Sequence, residues 1–220
     1  MSSEELAKQR LYQAIGRVAA AMGSAGRLQI LEFVAQGERS VDALAAMTGL
    51  SVANTSKHLQ ALRQAGLVNA RRQGVRVYYV LAGDDVSLLL AALRGVAEHR
   101  AADVEKLLQT WLAHRDQLEP VPASEVLERA RKGLVTVLDV RPAEEYAAGH
   151  VPGAINVPID KLEGYLAKLP KRKEVIAYCR GPYCLMSFEA VEKLRRRGFK
   201  AKRLQDGYPE WRAAGLPVER

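Results

Sequence analysis

The sequence predicts two domains: an all-α module carrying one β-hairpin, followed by an α/β module built on a mainly parallel sheet. Three observations lead there. Apolar residues recur at helical spacing through most of residues 1–118, with one alternating, strand-like stretch after residue 74. From residue 124 onward, short apolar runs alternate with helical segments, the pattern of a parallel sheet covered by helices. Between them stand Pro120 and Pro122. Each breaks a helix, because proline lacks the N–H and holds its predecessor extended. The expected division is 1–118, a linker at 119–123, and 124–220.

The chain has 220 residues, a formal net charge of +8, 48% hydrophobic and 26% charged residues. Those proportions exclude a disordered chain. No apolar run reaches the ~18 residues of a membrane span, and the first residues lack the apolar core of a secretion signal. The expected location is cytoplasmic, with no membrane partner. Two cysteines are too few for a disulfide scaffold, and both fall in one short segment, Cys179 and Cys184.

In the first module, Leu6, Ile15 and Val18 mark one helical face over residues 4–21, and a second helix over 26–36 ends at Gly37. Ser40 is a helix cap and Gly49 a stop. Ser51 then caps a helix that ends at Gly66. Two short helices around a glycine-containing turn form a helix-turn-helix. The second of them places Val52, Leu59 and Leu62 on its apolar face. Its other face carries Asn54, Thr55, Ser56, Lys57, His58 and Gln60, with Arg63 beyond, side chains that reach phosphates and base edges. Val75, Val77, Tyr79 and Leu81 alternate as in a strand, and Gln73-Gly74 marks the hairpin turn. Arg71, Arg72 and Arg76 flank its tip. Between Asp42 and Asp84 there is no acidic residue. Double-stranded DNA is therefore the expected partner.

The segment LAAMTGLSVANTSKHLQALRQAGLVNARRQGVRVYYVLA resembles the winged helix-turn-helix of the ArsR family of bacterial repressors. The resemblance implies operator binding as a homodimer, through the first and last helices, and repression of transcription. Residues 85–116 fit the last helix, with Leu89, Leu93, Val96, Val104, Leu107, Leu108 and Trp111 as its apolar set. The Cys-x-Cys metal motif of many members is missing, since GERSVDALA holds Ser40 and Asp42 there. His99 and His114, with Glu98 and Asp103, do not follow a ligand spacing and are read as solvated helix residues. No metal and no cofactor are expected.

In the second module, LVTVLDV at 134–140 and EVIAYC read as buried strands, 160–169 and LMSFEAVEKLRRRG as helices, and 199–204 as a strand. Ligand chemistry in such sheets gathers at the carboxyl ends of the strands, where Cys179 falls. A thiol followed by a tight turn and a helix start faces backbone N–H groups and the helix dipole, which favour a thiolate. The run from Lys193 to Arg203 holds seven basic residues and no acid, and reads as a solvated face.

LDVRPAEEYAAGHVPGAINVP, VIAYCRGPYCLMS and LQDGYPEWRAAGLPV resemble the rhodanese family of sulfurtransferases. The resemblance implies that Cys179 takes a sulfane sulfur from a donor such as thiosulfate or a persulfide. Arg180, Gly181, Pro182 and Tyr183 would form the loop around it, and Asp139 and Arg141 would support it. His150 is expected to be structural. Cys-x5-Arg phosphatases need an arginine where Leu185 stands. Cys184 is either an inert loop residue or a resolving thiol for a Cys179 persulfide. Three functions remain open: a regulator that senses reactive sulfur or redox state, a sulfurtransferase that the DNA-binding module places or regulates, and a pure DNA-binding protein with a degenerate rhodanese fold.

Overall fold

The computed structural model describes residues 2–112 and 120–220, except for the side chains of Trp111 and Leu112. His114, the Trp111 side chain and residue 119 of the expected linker therefore lie outside the described residues. The chain divides into two compact units, Met1–Val86 and Ser87–Arg220.

The first unit contains α1 (Ser3–Met22), α2 (Ala25–Val34), β1 (Arg39–Ser40), α3 (Val41–Thr48), α4 (Val52–Gln64), β2 (Val68–Gln73) and β3 (Arg76–Leu81). Local chemistry sets these boundaries. The Ser40 hydroxyl accepts the Ala43 N–H at the start of α3, and Gly49, at φ 71°, ends that helix. The Ser51 hydroxyl accepts the Asn54 N–H at 3.2 Å and starts α4. Ile30, Leu31, Leu44, Leu59 and Leu62 form a fully buried centre. The strands form an antiparallel sheet in the order β1-β3-β2.

Two expectations change here. The buried stripe of α4 is Thr55, Leu59 and Leu62, whereas Val52 is 51% exposed. Spacings of four and three keep those three residues on one side; Val52 shares that side, seven residues before Leu59, but as the first residue of α4 it stands exposed at the helix end. The hairpin turn sits one residue later than expected. Gln73 pairs with Arg76, so Gly74 and Val75 form the loop, with Gly74 at φ 60°.

Helix α5 (Asp84–Arg100) begins at the end of the first unit and continues into the second, where α6 (Ala102–Leu112) follows it. The single helix expected over 85–116 is thus two. Charge explains the break: His99 and Arg100 end α5, and Asp103 and Glu105 begin α6. Each set complements the helix dipole at its terminus. There follow β4 (Pro120–Val121), α7 (Ala123–Arg131), β5 (Val135–Asp139), α8 (Ala143–Ala148), β6 (Ile155–Asn156), α9 (Leu162–Tyr165), β7 (Glu174–Tyr178), α10 (Leu185–Arg196), β8 (Ala201–Leu204) and α11 (Tyr208–Ala213). The helix expected at 160–169 is the single turn of α9 between two 3-10 turns.

The five-stranded sheet is parallel, in the order β4-β8-β7-β5-β6. Both faces are covered. Leu138, Val175 and Ala177 pack with Phe188, Val191 and Leu194 of α10. Val137 and Ile176 pack with Val126 of α7 and Trp211 of α11. This two-sided burial explains the unbroken apolar runs of β5 and β7. The basic run Lys193–Arg203 spans the end of α10, a turn at Gly198 and β8, and its Lys193 and Arg197 pair with Glu189 and Glu163. No described helix is long and apolar enough to cross a membrane.

The revised α4 stripe is testable. Leu59→Ala is expected to cost about 2–5 kcal/mol, and Val52→Ala to stay within about 0.5 kcal/mol. Native-state hydrogen exchange of the α4 amides in the full chain measures both.

Candidate functional site

On the first unit, α4 presents Ser51, Asn54, Lys57, Gln60 and Arg63 to solvent, with Ser56 and His58 half-buried. The His58 ring lies against Gly26 of α2. Thr55 is fully buried, so its expected place on the solvent face is corrected. It occupies the inward stripe one turn before Leu59. Arg72 and Arg76 are exposed on the hairpin. Arg71 is already engaged: its guanidinium pairs with Glu38 at 2.6 Å, and this partner holds the Glu38 carboxyl below its ordinary range. Glu38 lies outside the acid-free stretch, so counting charge within that stretch misses it.

The cysteine loop of the second unit, residues 179–184, leaves the carboxyl end of β7 and enters α10, with Cys184 as its N-cap residue. Its backbone is braced from below. The Tyr208 N–H bonds the Cys179 carbonyl, and the Cys184 N–H bonds the Gly181 carbonyl at 3.1 Å. Gly207 lies so close that a Cβ there would stand 2.4 Å from the Gly181 nitrogen and the Arg180 carbonyl carbon. A glycine is needed at 207 for contact rather than for backbone angle.

Asp139 and Arg141 are completely buried and form an ion pair at 2.6 Å. Burial works against the Arg141 charge, but the Asp139 carboxylate outweighs it and holds the guanidinium above its ordinary range. Arg141 also donates to the Gly149 carbonyl at 2.8 Å and lies over the Tyr208 ring. Arg180 donates to both oxygens of Glu145, a fully buried carboxylate on α8, at 2.6 Å for the shortest bond. The RPAEEY motif contains Glu145, yet nothing in its spacing marks it as the partner of Arg180. His150 stacks on Tyr146 and hydrogen-bonds its carbonyl.

The thiols do not have the expected electrostatics. Cys179 is 1% exposed, and burial pushes its thiol well up, with Cys184 adding to the effect. The Ser187 hydroxyl, 3.3 Å away, and the Gly181 peptide pull the other way and do not offset it. Cys184 is brought down to about 7 by the Cys179 thiol, against the effect of burial, with further help from the peptide N–H groups of Arg180 and Met186 and from the Arg180 charge.

The loop is also tied to a helix that the sequence placed in the other module. The Tyr183 hydroxyl donates to the Glu98 carboxylate of α5, and Arg94 of α5 pairs with Glu210 of α11. Arg94, Glu98, Gln109, Tyr183, Arg203 and Asp206 line a cleft of about 450 Å³ beside these contacts. Burial lifts the Asp206 carboxyl there, and Glu210 and Glu98 lift it further.

Residues 122–214 match the family described as rhodanese-like domain, and residues 24–70 match the bacterial regulatory protein, arsR family. The HTH-type transcriptional regulator Rv0324 of Mycobacterium tuberculosis is 46% identical over 219 residues, covering 100% of this chain and 96% of that protein. The chain belongs to the ArsR-type transcriptional regulators that carry a rhodanese-like domain. This regulator is also 30% identical over 90 residues to the thiosulfate sulfurtransferase GlpE of Coxiella burnetii, covering 40% of this chain and 82% of that one. A solution NMR structure of the homodimeric winged helix-turn-helix DNA-binding domain of Mb0332 from Mycobacterium bovis is 43% identical to the regulator. It covers 47% of this chain and 93% of that chain, with a TM-score of 0.41.

A methyl group at Gly207 has no space beneath the loop. Gly207→Ala in the regulator is expected to cost about 1–3 kcal/mol and to change the rate at which the loop thiols are alkylated. Thermal unfolding and a thiol-labelling time course measure the two effects.

Proposed function

We propose that this regulator binds operator DNA as a homodimer, and that sulfane sulfur captured by the Cys179–Cys184 loop changes its affinity. The observation that carries this reading is the Tyr183–Glu98 hydrogen bond, which joins the loop to α5. That helix begins three residues after β3, the second strand of the basic hairpin. A change at the loop therefore has a covalent and hydrogen-bonded route into the element that leads away from the hairpin. The exposed Ser51, Asn54, Lys57, Gln60 and Arg63, with Arg72 and Arg76, supply phosphate and base-edge contacts. Leu11, Tyr12 and Ile15 of α1 and Leu88, Leu89 and Val96 of α5 are exposed apolar residues. A second copy of the chain would cover them. Repression in the cytoplasm is the mode that the family implies.

In the chemical step, a loop thiolate attacks the outer sulfur of thiosulfate. A sulfur–sulfur bond forms, the bond to the sulfonate group breaks, and sulfite leaves with the electron pair. Cys179 carries the persulfide, Asp139 and Arg141 keep the end of β5 in place, and Glu145 fixes Arg180 beside the loop. For the persulfide to act as a signal, it must favour one DNA-binding state of the protein over another.

The match to a thiosulfate sulfurtransferase favours a second reading, a turnover enzyme that the DNA-binding unit places. Repeated release of sulfite in the presence of an acceptor thiol marks that enzyme. A single equivalent per chain marks the sensor.

The test uses an operator selected from random-sequence DNA by the reduced protein. Thiosulfate-treated protein is expected to differ in operator affinity by about 5-fold or more. Glu98→Ala is expected to take up sulfur normally and lose that difference. Equal affinity of treated and untreated wild-type protein, in a sample shown to carry the persulfide, overturns the reading.

A further inference from the structure

We propose that Ser187 is a catalytic residue of this site: its hydroxyl accepts from the Cys179 thiol at rest and turns to donate to the sulfur once Cys179 is a thiolate. The proposal rests on the reading that the loop captures sulfane sulfur, and it adds a residue that lies outside the loop itself.

Three polar atoms meet in a closed triangle. The Cys179 sulfur stands 3.3 Å from the Ser187 hydroxyl oxygen and 3.4 Å from the Cys184 carbonyl oxygen, and the hydroxyl lies 3.2 Å from that same carbonyl. Cys179 and Ser187 are both buried, so bulk water competes little for these contacts. Helix geometry puts Ser187 there. It is the third residue of α10, three after Cys184, and a serine at that spacing reaches back to the carbonyl of the preceding turn. The two oxygens beside the sulfur differ in what they can do. A carbonyl oxygen accepts an S–H but repels a thiolate. A hydroxyl has one proton and two lone pairs, and its proton rotates to suit its neighbours. With Cys179 as a thiol, the S–H donates to the Ser187 oxygen and the O–H donates to the Cys184 carbonyl. With Cys179 ionised, the sulfur has no proton to give. The same O–H then swings from the carbonyl to the sulfur, with no movement of heavy atoms. A hydrogen bond to a charged acceptor is stronger than one to a neutral carbonyl, so the swing favours the thiolate. Cys179 needs such a donor because burial works against its charge, and the Ser187 hydroxyl draws the thiol down against that push.

Ser187 keeps its proton throughout and forms no covalent bond. In the step that it supports, Cys179 gives its proton to solvent base, and the thiolate attacks the outer sulfur of thiosulfate. The new sulfur–sulfur bond forms on Cys179, the bond to the sulfonate group breaks, and sulfite leaves with the electron pair. No oxidant or reductant is consumed. In the persulfide the Cys179 sulfur again lacks a proton, so the Ser187 O–H stays on it. Release of the Cys184 carbonyl by Ser187 therefore accompanies both the thiolate and the persulfide.

The test begins with a brief iodoacetamide pulse on the full chain at about pH 8, read at each cysteine by mass spectrometry of tryptic peptides, since alkylation follows the thiolate. Cleavage after Arg180 separates Cys179 from Cys184. Ser187→Ala and Ser187→Val are expected to slow labelling of Cys179 by about tenfold, while Cys184 stays within about twofold of wild type. Ser187→Thr, which shares the shape of valine but keeps the hydroxyl, is expected to return Cys179 to within about threefold of wild type. A merely structural role makes valine and threonine alike, so equal Cys179 rates in that pair overturn the proposal. Equal slowing of both cysteines in Ser187→Ala overturns it too, because that marks a disturbed loop rather than a lost donor. If circular dichroism shows that a β-branched variant does not fold, the alanine variant decides, and unchanged labelling of its Cys179 overturns the proposal. In a second arm thiosulfate is the probe, and sulfite released in the first turnover is measured. Ser187→Ala is expected to release it about tenfold more slowly than wild type; release at the wild-type rate overturns the proposal. If wild-type protein releases no sulfite, the sulfur-capture reading fails, and the alkylation arm alone confirms or overturns the role of Ser187.

Discussion

The second unit depends on one buried ion pair, Asp139 with Arg141. Asp139 is the last residue of β5, and its carboxylate accepts the Arg141 peptide N–H at 2.9 Å as well as the guanidinium. From there Arg141 reaches the Gly149 carbonyl just after α8 and lies 4.4 Å from the centre of the Tyr208 ring at the start of α11. Asn156 of β6 donates to the carbonyls of both partners of the pair. Three loops at the carboxyl end of the sheet are thereby referred to one point. A buried pair of this kind adds little net stability over an apolar substitute, but losing one partner strands a charge and costs about 3–5 kcal/mol. Its role is to fix position.

The cysteine loop inherits that position. Tyr208, held under Arg141, gives its peptide N–H to the Cys179 carbonyl, and Gly207 beside it admits the loop backbone. Glu145, on the helix between Arg141 and Gly149, clamps Arg180. The loop is therefore braced by the same charge pair from below and from the side. Within it, Tyr183 is the residue that reaches α5.

Much of this was legible in the sequence because it is local. Ser40, Gly49 and Ser51 punctuate α3 and α4 by caps that need only neighbouring residues. The apolar runs of β5 and β7 announce burial on both faces. The loop between strand and helix follows from where Cys179 and Cys184 fall. What was not legible is non-local. Glu145 finds Arg180, and Glu38 finds Arg71, across 35 and 33 residues, distances over which no spacing rule operates. The Thr55 hydroxyl suits contact with DNA, yet helical geometry turns it inward with Leu59. The break at Ala101 is a different case, since the basic end of α5 and the acidic start of α6 were both in view.

The outer strands of the sheet have a further effect. β4 and β6, at its two ends, are each two residues long, and β4 begins with a proline that has no N–H to offer. Long, flat edges invite other chains to add strands and aggregate. Here both margins are too short to template such growth. The sheet therefore offers another chain little edge to add to, whereas α1 and α5 carry exposed apolar residues. The homodimer proposed above would gain from having this other sticky edge blunted.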